Sequence, residues 1–261
     1  SHASIHNFDE INRLDVREGD TVDIQRAGDV IPQIISVNLD KRKKGSLKVS
    51  LPKRCPSCKN DLVRIEGEAI LRCTAGVDCP AQRIGSLIHF VSRNALNIDG
   101  LGERIIELLV DKKLVLNFAD LFRLDIKDII NLEGFGEKSA TNLIKSIQAS
   151  KDTNLSRFIY SLGIREVGEA TAMNLALNFN NISKFLAADE QDFLEINDIG
   201  PVASNYIKEF LASDENINLV KDLIALGVNP KEMEVKNDNP FSSKSIVITG
   251  SFNNIARSQL K

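Results

Sequence analysis

Four glycine-closed turns recur along this chain at a nearly constant interval, and that period limits the possible folds more than any other feature. Asn97-Ile98-Asp99-Gly100-Leu101-Gly102 precedes a helix-like run from Glu103 to Lys112, and Asn131-Leu132-Glu133-Gly134-Phe135-Gly136 precedes another from Glu137 to Ser150. Looser versions follow at Leu162-Gly163-Ile164-Arg165-Glu166-Val167-Gly168 and Ile196-Asn197-Asp198-Ile199-Gly200-Pro201. The closing glycines are 34, 32 and 32 residues apart. A self-similar period of this length indicates an array of one supersecondary unit. Each unit reads as helix, tight hairpin, helix. Ile84, Leu87, Ile88 and Val91 before the first hairpin, and Ala140, Leu143, Ile144 and Ile147 after the second, hold the i, i+3, i+4, i+7 spacing of one apolar face.

Glycine at such turns suits positive φ and lets the main chain approach a ligand closely. The helix that follows begins with unsatisfied N–H groups backed by the positive end of its dipole, which is a seat for phosphate. Pro201 suits the first helical position, where no N–H is missed. The pattern resembles the helix-hairpin-helix family, which grips the DNA backbone without reading its sequence. The resemblance implies that main-chain N–H groups around Gly100, Gly102, Gly134, Gly136, Gly168 and Gly200 hold phosphates. Lys138 and Arg165 are candidates to add charge there, against the plainer reading that a cation at a helix start is simply solvated. The plainer reading of the glycines is that they cap and join helices in a packed repeat, as in SAM-like domains. The third and fourth units, which depart from small-x-small, suit that reading best.

With 261 residues the chain has room for several small domains. No charged-then-apolar leader and no apolar run near membrane length is present, so a soluble, unsecreted, cytoplasmic piece of a longer protein is expected. A balance of 33 Lys+Arg against 36 Asp+Glu gives net −3, which argues against a nucleic-acid binder until local charge is considered. Between positions 40 and 64, nine cations (Lys41, Arg42, Lys43, Lys44, Lys48, Lys53, Arg54, Lys59 and Arg64) face only Asp40 and Asp61, a local net of +7. Beside the glycine hairpins, that run reads as phosphate attraction rather than as a solvated loop.

All four cysteines lie between 55 and 79, as Cys55-Pro56-Ser57-Cys58, then Cys73, then Cys79. C-x2-C…C-x5-C fits a closed tetrahedral Cys₄ zinc site, and two disulfides are the alternative. A closed site has no open position for chemistry, so its role is folding, where zinc contributes on the order of 10 kcal/mol. His89, ten residues past Cys79, reads as a packed or surface histidine rather than a ligand.

Residues 1–50 read as β, with strands at Thr21–Gln25 and Val30–Leu39, a turn at Arg26-Ala27-Gly28-Asp29, and a third strand at Leu47–Ser50. Three strands make an incomplete barrel. After Gly227 a polar, proline-bounded stretch over 228–240 reads as a linker. Lys244-Ser245-Ile246-Val247-Ile248-Thr249-Gly250 then reads as a strand and turn opening a further domain. The expected architecture is multidomain and mainly α: a partial β-barrel over 1–50, a Cys₄ module over 51–82, four hairpin repeats over 83–227, the linker, and a domain start over 241–261.

The order of these parts, with Ser4-Ile5-His6-Asn7, Arg26-Ala27-Gly28-Asp29-Val30-Ile31-Pro32 and Leu162–Thr171, resembles the C-terminal half of bacterial NAD-dependent DNA ligases. The resemblance covers essentially the whole chain. It implies an OB-fold for 1–50 and the start of a BRCT domain for 241–261. It also implies a reaction: a lysine attacks the adenylyl phosphate of NAD, AMP passes to a nicked 5′-phosphate, and the 3′-OH displaces it. Zinc would be structural, with NAD and magnesium bound outside this chain. The nucleophile belongs to a Lys-x-Asp-Gly motif in an adenylation domain. No such motif occurs here, since Asn97-Ile98-Asp99-Gly100 lacks the lysine. This chain alone is therefore expected to grip nicked duplex as a monomer, without closing nicks. A non-enzymatic tandem helix-hairpin-helix module and a zinc-stapled scaffold that binds protein remain as alternatives.

Overall fold

The computed structural model describes residues 2, 3, 5, 7–27, 31–64 and 70–232. The turn at 28–30, most of the linker and the whole of 241–261 lie outside the described residues, so the expected BRCT start does too. The described chain forms two compact units, one from residues 1–89 and 100–137, the other from 90–99 and 138 onward.

The first unit opens with a helix that an all-β reading misses. Helix α1 (Phe8–Leu14) starts because the Asn7 side chain accepts from the Asp9 and Glu10 N–H groups, and it stops at Asp15 in the left-handed region (φ 47°). Strands β1 (Val22–Ala27) and β2 (Ile31–Val37) pair antiparallel, with Ile24 opposite Ile34 and a register shift at Asp23/Ile24. The expected third strand at Leu47–Ser50 does not form; a single antiparallel bridge joins Lys48 to Arg17. With two strands and one helix the piece buries little, and Ile11 is its one buried hydrophobic among the described residues.

A partly buried ion cluster compensates. The Arg42 guanidinium forks onto Asp20 (Nε to Oδ1 2.9 Å, Nη2 to Oδ2 2.9 Å) and reaches Asp15 with Nη1 (2.6 Å). The two side chains of the Arg42–Asp20 pair are 14% and 1% exposed. Such a fork is well satisfied, yet losing either partner strands a charge away from water. Arg42 holds both the Asp20 and Asp15 carboxyls below the usual carboxylate range. Arg42 is thus a structural cation, not a free one.

A short hairpin, β3 (Leu62–Arg64) with β4 (Leu71–Cys73), carries the cysteine module, and α2 (Pro80–Val91) leaves it. Arg64 pairs with Asp9 of α1. Helix α3 (Glu103–Asp111) follows the first glycine turn. Two short helices, α4 (Phe118–Leu121) and α5 (Ile126–Ile130), each begin at a capping box, Asn117/Asp120 and Asp125/Asp128.

The second unit holds α6 (Glu137–Ala149), α7 (Leu155–Ser161), α8 (Glu169–Phe179), α9 (Ile182–Ala187), α10 (Glu190–Leu194), α11 (Pro201–Ala212) and α12 (Asp214–Ala225). Phe179, Phe185 and Phe193 meet edge to face at 5.7–6.2 Å between centroids, which joins α8, α9 and α10 into one core. The reading of 228–240 as linker changes at its start. Gly227 turns the chain in the left-handed region (φ 94°), and β6 (Asn229–Lys231) pairs in parallel with β5 (Asp152–Asn154). Three residues are too short to announce themselves by alternation. No described helix is long and apolar enough to cross a membrane.

Candidate nucleic-acid interface and thiolate cluster

The four hairpins share one backbone design despite their different sequences. Each begins with a buried aliphatic residue: Ile98, Leu132, Ile164 and Ile196. Two residues on, the chain enters the left-handed region, at Gly100 (φ 89°), Gly134 (86°), Glu166 (61°) and Asp198 (65°). The next residue turns inward: Leu101, Val167 and Ile199 are buried and Phe135 is half-buried. Its N–H returns to the first carbonyl in three of them, Phe135 to Leu132 (3.1 Å), Val167 to Ile164 (3.1 Å) and Ile199 to Ile196 (3.2 Å). With positive φ at the third position this is a type II turn. Glycine fills that position in the first two repeats and an acidic residue fills it in the last two. Their sequences look looser for that reason, while their turns are the same.

The closing glycines behave differently from the expectation of positive φ. Gly102 (φ −74°), Gly168 (−81°) and Gly200 (−88°) are extended, and Gly136 also lies outside the left-handed range. All four are exposed, and a Cβ at any of them would meet nothing within 4 Å. Neither backbone conformation nor internal packing calls for glycine there. Helix capping would favour something else: Asn117, Asp125, Asn154, Asn181, Asp189 and Ser213 all cap their helices with a side-chain oxygen. Gly102, Gly168 and Gly200 cap α3, α8 and α11 with none. The chain thus leaves the helix starts after the first, third and fourth hairpins without a side-chain cap and caps the others named here.

Lys138 is exposed on the first turn of α6. Arg165 is half-buried, its guanidinium 4.6 Å above the Tyr206 ring centroid. Of the nine cations between 40 and 64, Arg42 is half-buried and paired with Asp20, Arg64 pairs with Asp9, Arg54 lies 3.8 Å from Asp61, and Lys59 donates to the Pro56 carbonyl (2.9 Å). Lys41, Lys43, Lys44, Lys48 and Lys53 are exposed. The free basic surface is therefore smaller than the sequence count implies.

The four cysteines meet as expected, their sulfurs all within 4.8 Å of one another. Cys55 Sγ lies 3.8 Å from Cys79 Sγ, and Cys58 Sγ lies 3.4 Å from Cys73 Sγ. Four sulfurs about 2.3 Å from a zinc ion would stand about 3.8 Å apart, and a disulfide requires about 2.05 Å. The spacing fits the metal and not the disulfides, and all four thiols are free. Local structure builds the cluster: Lys59 takes positive φ (65°) and donates its N–H to the Cys55 carbonyl (2.9 Å). Cys73 ends β4, and Cys79 sits just before Pro80 at the start of α2. N–H groups of Cys58 and Ser57 pull the Cys55 thiol down to about 6, and those of Gln82 and Ala81 lower Cys79. Cys58 receives the Asn60 N–H, but burial and the adjoining sulfurs push it up to about 12. Four sulfurs this close suit a shared cation, which a zinc ion at this site would supply. His89 lies along α2, half-buried and outside the cluster.

A two-stranded meander, a four-sulfur knuckle and tandem glycine hairpins define a modular chain of OB, C4 zinc-finger and helix-hairpin-helix type. Residues 1–46 match the NAD-dependent DNA ligase OB-fold domain and 54–81 the NAD-dependent DNA ligase C4 zinc finger domain. Residues 92–149 match the SAM-like helix-hairpin-helix tandem and 157–220 the helix-hairpin-helix motif. DNA ligases of Saccharophagus degradans, Hahella chejuensis and Legionella pneumophila are 47%, 46% and 44% identical over the whole of this chain. The chain covers 39%, 38% and 39% of those relatives, so it spans about two fifths of their length. The chain thus matches the OB-fold and C4 zinc-finger domains of NAD-dependent DNA ligases, followed by helix-hairpin-helix motifs, and is similar along its whole length to the later part of longer DNA ligases.

Proposed function

We propose that this chain is the DNA-gripping, C-terminal portion of a bacterial NAD-dependent DNA ligase that seals nicks in duplex DNA during replication and repair. The observation that carries this reading is the contrast in capping: Gly102, Gly168 and Gly200 leave their helices without a side-chain cap, while seven other described α-helices have one. Open amides at a helix start suit an oxyanion of any nucleotide, so binding is blind to sequence. Gly100, Gly102, Gly134, Gly136, Gly168 and Gly200 line these seats, Lys138 adds a cation beside the second, and the exposed lysines near position 44 add long-range attraction. Cys55, Cys58, Cys73 and Cys79 hold a structural zinc ion, which supplies folding energy and takes no part in the reaction.

The chemistry is carried outside this chain. An adenylation domain provides the nucleophilic lysine and binds NAD and magnesium, since no Lys-x-Asp-Gly occurs here. The protein works as a cytoplasmic monomer, and 241–261 opens its BRCT domain. Fluorescence anisotropy with a nicked duplex over a salt series tests the grip. Binding to duplexes of arbitrary sequence, with log Kobs falling steeply against log salt, is the expected result. A chain that ignores duplex at low ionic strength sinks the reading, and a chain that binds only one sequence replaces it with another.

A further inference from the structure

The third and fourth hairpins touch each other at repeat-equivalent positions. Arg165 stands one residue before the positive-φ Glu166, and Asn197 stands one before the positive-φ Asp198. Asn174 lies six residues past Gly168 on α8, and Tyr206 lies six past Gly200 on α11. The Arg165 guanidinium carbon sits 4.6 Å above the Tyr206 ring centroid. Asn174 Nδ2 donates to the Asn197 carbonyl at 3.1 Å. Each hairpin is therefore held by the second helix of the other repeat, through the same pair of positions with different chemistry. Flanking residues Ile164, Val167, Ile196 and Ile199 are all buried, so both turns are anchored beneath these contacts.

We propose that Arg165 is a positioning residue, which with Tyr206, Asn174 and Asn197 forms a reciprocal latch that holds the helix starts at Gly168 and Gly200 in one fixed relation. Arg165 stays on the Tyr206 face when DNA binds and is not a phosphate ligand. The latch itself stands on the geometry above; its effect on DNA binding rests on the proposed function. A flat guanidinium over an aromatic face is attractive without consuming the N–H groups of either helix start. Two seats kept at constant separation meet two phosphates without an ordering cost at the moment of binding. The two left-handed acidic residues also need outside support to persist, and the latch grips each turn next to them.

The chain contains no tryptophan, so Tyr206→Trp places a single emitter in the latch while keeping an aromatic face for Arg165. Without DNA, adding Arg165→Met to that variant should shift the emission. Identical spectra would mean that the stack does not exist in solution, which overturns the proposal. With nicked duplex, Arg165→Met should weaken binding about two- to thirtyfold, the range that a cation–π contact spans. The log–log salt slope should stay unchanged, because no phosphate contact is lost. A slope shallower by about 0.9 would make Arg165 a phosphate ligand and refute the latch. Tyr206→Leu should match Arg165→Met, the double variant should lose nothing further, and Tyr206→Trp should keep parental affinity. A parent chain that fails to bind duplex would count against the proposed function, while the DNA-free emission comparison still decides whether the latch exists.

Discussion

Replacing Gly168 and Gly200 by serine should make the protein more stable and a poorer DNA binder. Both positions already have N-cap backbone angles, φ −81° with ψ −178° and φ −88° with ψ 174°. A new Cβ meets nothing within 4 Å at either. Serine can therefore enter without strain, its oxygen accepting from the second or third amide of α8 or α11. Glycine is only a few tenths of a kcal/mol worse than serine as an N-cap, so the gain is about 0.3 kcal/mol per site. The two sites should add to about 0.6 kcal/mol, which raises Tm by about 1–2 °C for a domain of this size. On the binding side the same hydroxyl occupies the amides that would meet a phosphate. A hydrogen bond to a charged group contributes about 1.5 kcal/mol or more, so each substitution should weaken Kd by roughly tenfold.

Opposite signs separate the two readings of these glycines. Calorimetry gives Tm, and anisotropy at one stated salt concentration gives Kd for a nicked duplex. Ser213→Gly at the start of α12 is the control: Ser213 caps that helix by accepting from Asn216 N–H (3.3 Å), away from any hairpin. It should lower Tm slightly and leave Kd alone. If the serine variants gain stability and keep full affinity, the hairpin glycines are mere joints and the capping argument fails. A fall in Tm beyond about 2–4 °C, or about 1 kcal/mol of stability, would show instead that the glycines serve the fold.

Three further outcomes follow from other parts of the chain. Zinc should be present at about one ion per chain, and its chelation should abolish the β3–β4 hairpin and loosen the first turn of α2, read by circular dichroism and hydrogen exchange; retained protection at Gln82 and Arg83 after metal loss would contradict this. Glu166→Gly and Asp198→Gly should each stabilise by about 0.5–1 kcal/mol by relieving left-handed strain, and denaturant melts that show destabilisation would refute it. Asp15 and Asp20 have depressed folded pKa values, so their contribution is full above the ordinary carboxylate pKa and is lost as pH falls through the depressed values. Exchange protection across β1 and β2 should collapse in that acid window, and Arg42→Gln should remove the pH dependence by weakening the segment already at neutral pH.

The parts that could be read in the sequence are those whose cause is local. The hairpins were legible because a period of 34, 32 and 32 residues repeats one covalent solution. The cysteine cluster was legible because four sulfurs at knuckle spacing have few other uses. Helix α1 was missed although Asn7-x-x-Glu10 resembles a capping sequence, because 1–50 reads as β on strand signals that begin only at Thr21. Arg42 could not be told from its neighbours by sequence. Its burial depends on Asp15 and Asp20, which are 27 and 22 residues away, and charge counting treats all lysines and arginines alike. The sameness of hairpins three and four was hidden by Glu166 and Asp198, residues that occupy left-handed backbone only when surrounding structure insists.

The repeats also differ in charge where their backbones agree. Beside the first two seats the chain places Arg104 and Lys138, both exposed, at the second helical position, with glycine at the turn. Beside the last two it places Ala170 and Val202, with Glu166 and Asp198 at the turn. A phosphate at the first pair would meet that cation beside Glu103 or Glu137, and at the second pair it would meet Glu166 or Asp198. Exposed charges act over about 10 Å at 0.1 M salt, so a seat feels these near neighbours more than the net charge of −3 spread over the whole chain. If all four seats hold backbone oxygens, the cation at the first two partly offsets their carboxylates. The last two then contribute through geometry, which is what a latched, pre-set pair of helix starts provides. The acidic turns would then set a limit on that geometry: a misplaced phosphate would be repelled, which would turn a general affinity for polyanions into preference for a strand in one position.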